Sequence, residues 1–226
     1  MTSIFQRALG ADFDRLHPQI RRRFSIGTDS GEACVGRGTM DRIWHGRSFV
    51  RPFLALGGSR NILVPQTGRN IPFVIENVPY TDSFGRETVT FVRTFAFPGR
   101  PRRFDATMVF SAERGCVVDY LGTHQHLATD LHFSVDGSGA LVIRSGEHRF
   151  REGPVDVRVP DLIGGDAVVR ESYDEEAGRF RIQVRVGNRR FGPLFGYEGS
   201  FTAEFVDVTE HGVRAGLRPL REEART

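Results

Sequence analysis

Apolar and polar residues alternate with a period of two along most of the chain after residue 88. In the stretch 88–97, apolar residues occupy most odd positions and threonines occupy most even positions. The same pattern recurs in the stretches 103–110, 127–135, 179–186 and 195–205. Such alternation predicts strands that have one buried and one solvated face, which is the habit of antiparallel sheets.

The predicted strands follow one another through hairpin-like connections, such as Asp-Gly-Ser-Gly at 136–139 and the turn at 174–178. About ten strands with no long helix between them leave no room for parallel βαβ units. The chain also has 19 phenylalanines to bury. We therefore predict a mainly β fold, an antiparallel β-barrel or half-barrel of calycin- or lipocalin-like shape that encloses a lined cavity.

Short helices are predicted before the first strand. Ser3 is the expected N-cap of one helix, and Pro18 is suited to begin another. Together they would form a lid or plug on the barrel. The predicted parts of a single domain, 1–226, are a helical lid at 1–24, the barrel at 32–208, a short helix near 48–56 and a frayed polar tail at 209–226.

The composition argues against several classes of function. All 31 basic side chains are arginines, interleaved with 28 acidic residues, and the net charge is only +3. A nucleic-acid-binding protein usually shows a basic stripe and a recognisable motif. The sequence has neither, so no nucleic-acid partner is expected. No stretch approaches the roughly 18 apolar residues of a membrane-spanning helix, so no membrane insertion is expected.

The terminus and the cysteines predict the compartment. Residues 1–23 carry dispersed charges and no apolar core of a signal peptide. Cys34 and Cys116 show neither metal-ligand nor CxxC spacing and fit a reducing environment. We therefore predict a cytoplasmic protein.

Three segments of the chain carry a family resemblance. They are the opening ALGADFDRLHPQIRRRF, the pair FVRTFAF and VVDYLGTHQHLATDLHFSVDGSGALVI, and the later RFRIQVRVGNRRFGPLFGYEGSF. They resemble the N-terminal, middle and C-terminal segments of the family known as domain of unknown function 4166. These motifs are packing patterns, so the resemblance implies the fold more than a reaction. Family members also occur fused to an NAD-binding reductase-like domain, which implies small-molecule metabolism and a reductase-like protein partner.

Two charged residues break the alternation and are the first candidates for a functional site. Arg93 lies on the apolar face of the stretch 89–97, and Glu171 lies on the apolar face of 167–173. An ion in an apolar interior is costly unless it is paired and hydrogen-bonded. We expect the two groups to meet each other in a buried salt bridge or to meet a ligand. As catalytic groups, Arg93 would hold an acidic or carbonyl oxygen and Glu171 would handle a proton.

Aromatic residues complete the predicted ligand-binding site. Tyr173 and Tyr197 are expected on inward faces, where each would offer its hydroxyl to a ligand or have it satisfied within the core. Phe91 and Phe95 are expected to line the cavity. Trp44, the only tryptophan, would line a pocket mouth or pack beneath the helices. No cofactor is expected.

A group of histidines offers a second, weaker candidate site. His124, His126 and His132 lie near Asp130, and HQHLATD is similar in part to the metal motif of cupins. The glycine expected upstream is absent, Asp130 stands where glutamate is usual, and no second cupin half follows. The even-numbered histidines should also face solvent, because odd positions such as Leu131 belong to the buried face. No metal ligand is therefore predicted.

These observations lead to three hypotheses. The first is a barrel that binds a hydrophobic or polyketide-like small molecule, as a carrier or as a cofactor-independent isomerase or cyclase of bacterial secondary metabolism. The second is a non-enzymatic accessory module that docks on a reductase-like partner through an exposed apolar patch. The third is a cupin-like metal enzyme built on the histidines.

Overall fold

The alternating stretches form strands of one antiparallel sheet that closes on itself. The computed structural model describes residues 2–46, 58, 60–160, 164–209 and 214–226. The helix predicted near 48–56 lies outside the described residues.

Twelve strands are present in the described part of the chain. They are β1 (Glu32–His45), β2 (Gly68–Asn77), β3 (Pro79–Thr81), β4 (Glu87–Phe95), β5 (Arg102–Ser111), β6 (Cys116–Leu121), β7 (Leu127–Val135), β8 (Leu141–Glu152), β9 (Val155–Arg158), β10 (Asp166–Asp174), β11 (Arg179–Asn188) and β12 (Gly192–Asp207).

The sheet closes where β8 pairs with β10. Around the barrel the order is β10-β11-β12-β1-β2-β4-β5-β6-β7-β8, and neighbouring strands are antiparallel throughout. At the closure Leu141 lies opposite Glu171, and Ile143 lies opposite Val169. The short β3 pairs with β4, and β9 pairs with β8. The predicted antiparallel barrel is confirmed, and it is a closed barrel of ten strands.

The inward faces follow the predicted alternation and form an apolar, largely aromatic core. In β4 the inward residues include Phe91 and Phe95, which belong to the main hydrophobic cluster. Phenylalanines from other strands join them, namely Phe73, Phe180, Phe195 and Phe201. These side chains fill much of the barrel interior, so any polar group that points inward lies among apolar neighbours.

Helices α1 (Ile4–Leu9) and α2 (Pro18–Phe24) cover one end of the barrel, as predicted. The Ser3 hydroxyl accepts a hydrogen bond from the backbone N–H of Gln6 at 3.2 Å and donates one to the carbonyl of Phe24 at 2.8 Å, which ties the start of α1 to the end of α2. Phe5 of α1 contacts Phe24 and Phe91 edge-on. No helix in the described residues is long and apolar enough to cross a membrane.

One side of the barrel wall is buried on both faces, contrary to the expected solvated outer face. Thr88 and Thr90 of β4 are buried although they point outward. The backbone N–H of Val78 donates to the Thr90 hydroxyl at 3.0 Å, so the segment around β3 covers this face. A second apolar cluster lies on the same outer side: Val109, Val118, Tyr120 and Ala128.

The segment 214–226 packs against this outer side, which corrects the expectation of a frayed tail. The Tyr120 hydroxyl donates to the carbonyl of Arg225 at 2.6 Å, and Arg86 Nη2 donates to the carbonyl of Glu223 at 2.7 Å. The Glu223 carboxylate is buried and accepts from Arg221 and Arg225. A polar composition suggested solvent exposure, but these residues find buried hydrogen-bond partners on the barrel wall.

Replacing Glu223 with Gln should remove an acid-sensitive part of the stability. Hydrogen bonds from Arg225 hold the pKa of Glu223 at about 2, below its usual 4.5. A lowered folded-state pKa stabilises the fold above the usual value, and this contribution is lost as the pH falls toward 2. We expect the difference in unfolding free energy between wild type and Glu223→Gln to shrink by roughly 2–3 kcal/mol across that window.

Urea unfolding at a series of pH values measures this difference. The exposed Glu113→Gln variant is the control and should track the wild type at every pH. A difference between wild type and Glu223→Gln that stays constant with pH would show that the carboxylate does not anchor the segment.

Candidate ligand-binding site in the barrel

Several polar side chains point into the apolar interior. Arg93 of β4 lies opposite Phe104 of β5 in the strand register. Asp119 of β6 lies opposite Met108, which also belongs to β5. Tyr197 of β12 is also inward, in the main hydrophobic cluster. We call Arg93, Asp119 and Tyr197 the lumen cluster. All three are buried.

Glu171 is held by a residue of the plug and not by Arg93, so the predicted Arg93–Glu171 pair is wrong. Arg23 Nε of α2 donates to Glu171 Oε1 at 2.5 Å, and both side chains are buried. Arg23 Nη1 donates to Asn77 Oδ1 at 2.5 Å and approaches Cys34 Sγ at 3.1 Å. Glu171 is therefore paired with Arg23, which extends from the apolar side of α2, and not with Arg93.

Arg93 is a buried cation with unused donors. Its Nε and Nη1 atoms have no hydrogen-bond partner among the described residues. Its guanidinium lies 4.7 Å from the ring centre of Phe104 and 5.6 Å from that of Phe91. Cation–π contacts of this kind stabilise a buried guanidinium by roughly 1–2 kcal/mol and do not satisfy its N–H groups. The unused donors are therefore available to an oxygen acceptor in the lumen.

Asp119 is the matching buried acid. Its Oδ1 atom has no hydrogen-bond partner among the described residues. Burial raises the pKa of Asp119 to about 7, while the positive charge of Arg93 acts in the opposite direction. Arg93 is thus close enough to influence the carboxyl, yet no ion pair joins the two groups in the described part of the chain. Arg93 and Asp119 are thus two buried groups of opposite charge that do not pair with each other.

Tyr197 adds a hydroxyl to the barrel interior. Its oxygen is buried and has no hydrogen-bond partner among the residues described. Burial raises the pKa of Tyr197, and the charge of Arg93 opposes that shift. Its ring packs edge-on against Phe95 at 5.4 Å and lies 5.9 Å from Phe195. The hydroxyl is therefore a neutral donor at neutral pH, fixed by aromatic packing.

The other predicted ligand-binding residues are divided between the lumen and other places. Phe91 and Phe95 line the interior on either side of Arg93 along β4. Tyr173 lies at the plugged end, stacked on His17 at 5.1 Å.

Trp44 lies on the outer face of the barrel, so the structure does not bring it into the lumen. The register of β1 shifts between Met40 and Arg42, and this bulge turns Ile43 inward and Trp44 outward. A Cβ atom at Gly196 would lie 2.5 Å from Cζ2 of Trp44, so the indole covers the bare backbone of that glycine.

Two residues of the site were missed by sequence reasoning. Asp119 is the single charge in the apolar strand β6, on the parity of Val117, which would have marked it as inward. Arg23 lies three residues after Ile20 and next to Phe24, on the apolar side of α2. Its burial was not predicted, because it belongs to a run of three arginines and such runs are usually solvated.

The histidines are not assembled into a metal site. His132 is exposed, as its parity predicts. His126 Nδ1 lies 2.6 Å from Glu152 Oε2, and hydrogen bonds from Arg149 and Arg114 hold the pKa of the buried Asp130 at about 2 against the effect of burial. No group of three or more ligating side chains that could hold a metal is found among the described residues.

An outer groove of about 240 Å³ is polar and its charges are largely paired. Arg170 binds Asp136 at 2.9 Å, and Arg181 binds Asp174 at 3.1 Å. The groove therefore offers fewer unused polar atoms than the lumen does.

The fold and site define a closed antiparallel barrel with an unpaired polar cluster inside an aromatic lumen. The chain belongs to the family described as domain of unknown function (DUF4166), which it matches over residues 16–201. It is 31% identical over 204 residues to the uncharacterized protein YndH of Bacillus subtilis (strain 168), covering 90% of this chain and 98% of that protein. No solved structure matches the chain. The family resemblance is confirmed, and the matched range contains the whole lumen cluster.

Removing one partner of the Arg23–Glu171 pair should cost far more stability than removing both. Arg23→Met leaves Glu171 charged and buried, which should lower the free energy of unfolding by roughly 3–5 kcal/mol. Adding Glu171→Leu should recover most of that loss. A double-mutant cycle by urea unfolding measures the coupling.

The exposed pair Arg181–Asp174 supplies the control. Arg181→Met should cost about 1 kcal/mol or less. If the losses from Arg23→Met and Glu171→Leu simply add in the double variant, the two side chains are not coupled.

The wild type should lose stability as the pH rises, because Asp119 ionises, and the Asp119→Asn variant should not show this loss. The carboxyl ionises near pH 3.8 in the unfolded chain and near 7 in the barrel. Because the folded-state pKa is raised, the free energy of unfolding of the ligand-free protein falls as the pH rises between these two values. Above pH 7 it no longer changes with the ionisation of this carboxyl. Asn at 119 cannot ionise, so its advantage over the wild type should grow by up to about 4 kcal/mol across this window.

Thermal or urea unfolding between about pH 4 and pH 8 tests this expectation, with the exposed Asp12→Asn as the control. Parallel pH profiles for wild type and Asp119→Asn would contradict the burial of a titrating carboxyl.

Proposed function

We propose that this protein binds an apolar small molecule inside the barrel and that Arg93 is its polar anchor. The observation that carries the proposal is the buried Arg93 guanidinium, two of whose nitrogen atoms have no partner in the described chain. An unpaired buried charge costs several kcal/mol, against a total stability of about 5–15 kcal/mol for a folded domain. A ligand oxygen would remove this cost, and a binding function explains why the charge is retained.

The width and lining of the barrel support an apolar ligand. An eight-stranded barrel is just wide enough for side chains to fill it or for one small ligand, and diameter grows with strand number. This barrel has ten strands. Its inward phenylalanines, with Phe91 and Phe95 flanking Arg93, favour a ligand with an aromatic or aliphatic body.

The polar groups specify the functional end of that ligand. Arg93 and Tyr197 both present donors, so they favour a carbonyl or carboxylate oxygen. Asp119 Oδ1 favours a hydroxyl or another hydrogen-bearing group beside it. A carbonyl compound with an apolar body would satisfy Arg93 and Tyr197, which fits a carrier as well as a cofactor-independent isomerase or cyclase.

The alternative of an accessory module is favoured by one surface feature. Phe150 of β8 and Val157 of β9 lie opposite each other and are exposed, and the exposed Val155 lies on the same face of β9. This is an apolar surface of the kind that a protein partner covers. Recovery of a reductase-like protein by wild type, but not by a Phe150→Ser variant, would support this alternative.

Native mass spectrometry tests the binding proposal directly. Wild type, Arg93→Met and the matched control Arg185→Met, whose arginine is exposed on β11, are incubated with an extract of the source cells. We expect a small-molecule adduct on wild type and Arg185→Met and none on Arg93→Met.

The melting temperature of each variant must be measured alongside. Because Arg93 is unpaired, Arg93→Met should fold as stably as the wild type or more stably. An adduct that survives in a folded Arg93→Met protein, or the absence of any adduct on the wild type, would refute Arg93 as the anchor.

A further inference from the structure

We propose that the end of the barrel away from α1 and α2 docks on an anionic lipid surface. The helices cover one end, where the backbone N–H of His17 donates to the carbonyl of Gly139 in the β7–β8 turn at 2.9 Å. We call the other end the distal end. There β1, β4, β6, β8 and β11 finish, at His45, Phe95, Leu121, Glu152 and Asn188.

The inference deepens the proposed function, on which it rests, because it names a lipid layer as the source of the ligand. A molecule with an apolar body and one polar end collects in such a layer rather than in water. A barrel that takes up this kind of molecule meets it at a lipid surface.

Exposed apolar side chains are concentrated at the distal end. Seven large apolar side chains are exposed in the described part of the chain, and four of them lie here: Phe150, Val155, Val157 and Phe191. Phe150 lies opposite Val157 across the β8–β9 hairpin, and alternation places Val155 on the same face. The ring of Phe150 stacks on that of His126 at 6.1 Å, which supports its exposed position. The hairpin thus presents an apolar face to its surroundings.

The β11–β12 turn lies on the same side of the distal end as the hairpin. β8, β10 and β11 are consecutive around the barrel. Asn188 Nδ2 donates to the carbonyl of Gly164 at 2.5 Å, which ties the turn to the connection between β9 and β10. The turn presents Phe191, which is exposed, and the guanidinium of Arg190 lies 5.7 Å from its ring centre. Apolar and cationic side chains are therefore adjacent here.

Arginines without an ion pair are distributed around the distal end. They lie in or beside the turns 96–101 and 188–192 and the connection that leads into β2. The arginines at this end that form no ion pair with any described residue are Arg60, Arg69, Arg100, Arg102, Arg189 and Arg190. All of them except Arg102 are exposed. Their positive charge is available to a partner.

The acids at the distal end do not cancel this charge. Glu152 Oε2 lies 2.6 Å from His126 Nδ1, and Asp156 Oδ1 accepts from Arg151 Nε at 3.2 Å. Asp166 is exposed and forms no ion pair with a described residue. The distal end therefore carries an excess of unpaired positive charge.

The plugged end has a different electrostatic character. Arg15 binds Asp12 at 2.9 Å, and Arg22 binds Glu32 at 2.7 Å. Glu176 is an exposed acid in the β10–β11 turn. Because the unpaired positive charge lies at one end of the barrel, an anionic surface attracts the molecule with its distal end first.

A lipid surface fits this end better than the other partners do. Proteins that lie on membranes combine cationic side chains, which meet phosphate headgroups, with aromatic and aliphatic side chains, which enter the acyl boundary. A nucleic acid would meet the arginines but offers no apolar layer to the hairpin. A protein partner could cover the hairpin, but it would also need acids around the whole end. Contact at the headgroup level requires no segment that crosses the bilayer.

Vesicle flotation tests the docking. The wild type is mixed with vesicles of phosphatidylcholine alone or of phosphatidylcholine and phosphatidylglycerol in equal parts. We expect it to float with the second kind at low salt and to be released at high salt. The double variant Arg189→Glu, Arg190→Glu should lower the partition coefficient roughly tenfold or more. Phe150→Ser should lower it by about tenfold, because the ring no longer enters the acyl boundary.

Matched controls lie at the plugged end. The double variant Arg21→Glu, Arg22→Glu changes the net charge by the same amount at two adjacent, exposed positions of α2. Phe84→Ser removes a ring that is 49% exposed. Both variants should float like the wild type, and melting temperatures establish that every variant is folded.

Three results would overturn the docking. The first is a wild type that does not float with the anionic vesicles. The second is an equal loss of flotation in the distal and the plugged-end variants. The third is binding of single-stranded DNA through Arg189 and Arg190, or of a protein through Phe150, in place of flotation.

The ligand site is tested separately in the same samples. Arg93→Met should float like the wild type but carry no small-molecule adduct in native mass spectrometry. An adduct on a wild type that does not float leaves the proposed binding function standing and overturns the docking. Flotation of a wild type that never carries an adduct overturns the binding function, and with it the lipid layer as a source of ligand.

Discussion

Pairing of charge inside an apolar wall is the constraint on which the rest of this structure depends. Each inward side chain of a closed barrel leaves water, so each inward ion needs a partner or raises the energy of the fold. Arg23 and Glu171 meet this requirement with each other, and their contact fastens the N-terminal plug to β10. Arg93 and Asp119 do not, although the charge of Arg93 opposes the rise that burial causes in the pKa of Asp119. The same constraint therefore yields one structural pair and two inward charges that lack a partner among the described residues.

The remaining architecture supports the strands that carry these two charges. The strands that carry Arg93 and Asp119 belong to the side of the wall that is buried on both faces. The outer cover comes from β3 and from the segment 214–226, whose hydrogen bonds reach Arg86 and Tyr120. Packing on both sides restricts the movement of these strands, and a rigid support is what a site needs to hold donors and acceptors at fixed separations.

The sequence predicted the barrel because a period of two is a local signal that each strand repeats. The same parity placed Arg93 inside, but it says nothing about which inward charges meet across the lumen. The partner of Glu171 therefore could not be deduced, since Arg23 comes from a helix outside the alternating region. The alternation in β1 does not predict the side of the sheet on which Trp44 lies, because the bulge between Met40 and Arg42 reverses the inward and outward positions after it. The segment 214–226 looked solvated because its composition is polar, whereas its order depends on specific hydrogen bonds.

A high-resolution crystal structure of the protein purified from its own source cells tests most directly whether Arg93 anchors a ligand. We predict density for a bound molecule in the lumen, with an oxygen within hydrogen-bond distance of Arg93 and an apolar body against Phe91 or Phe95. A direct Arg93–Asp119 ion pair with no bound molecule between the two side chains would contradict it, because the charges would then satisfy each other and require no ligand.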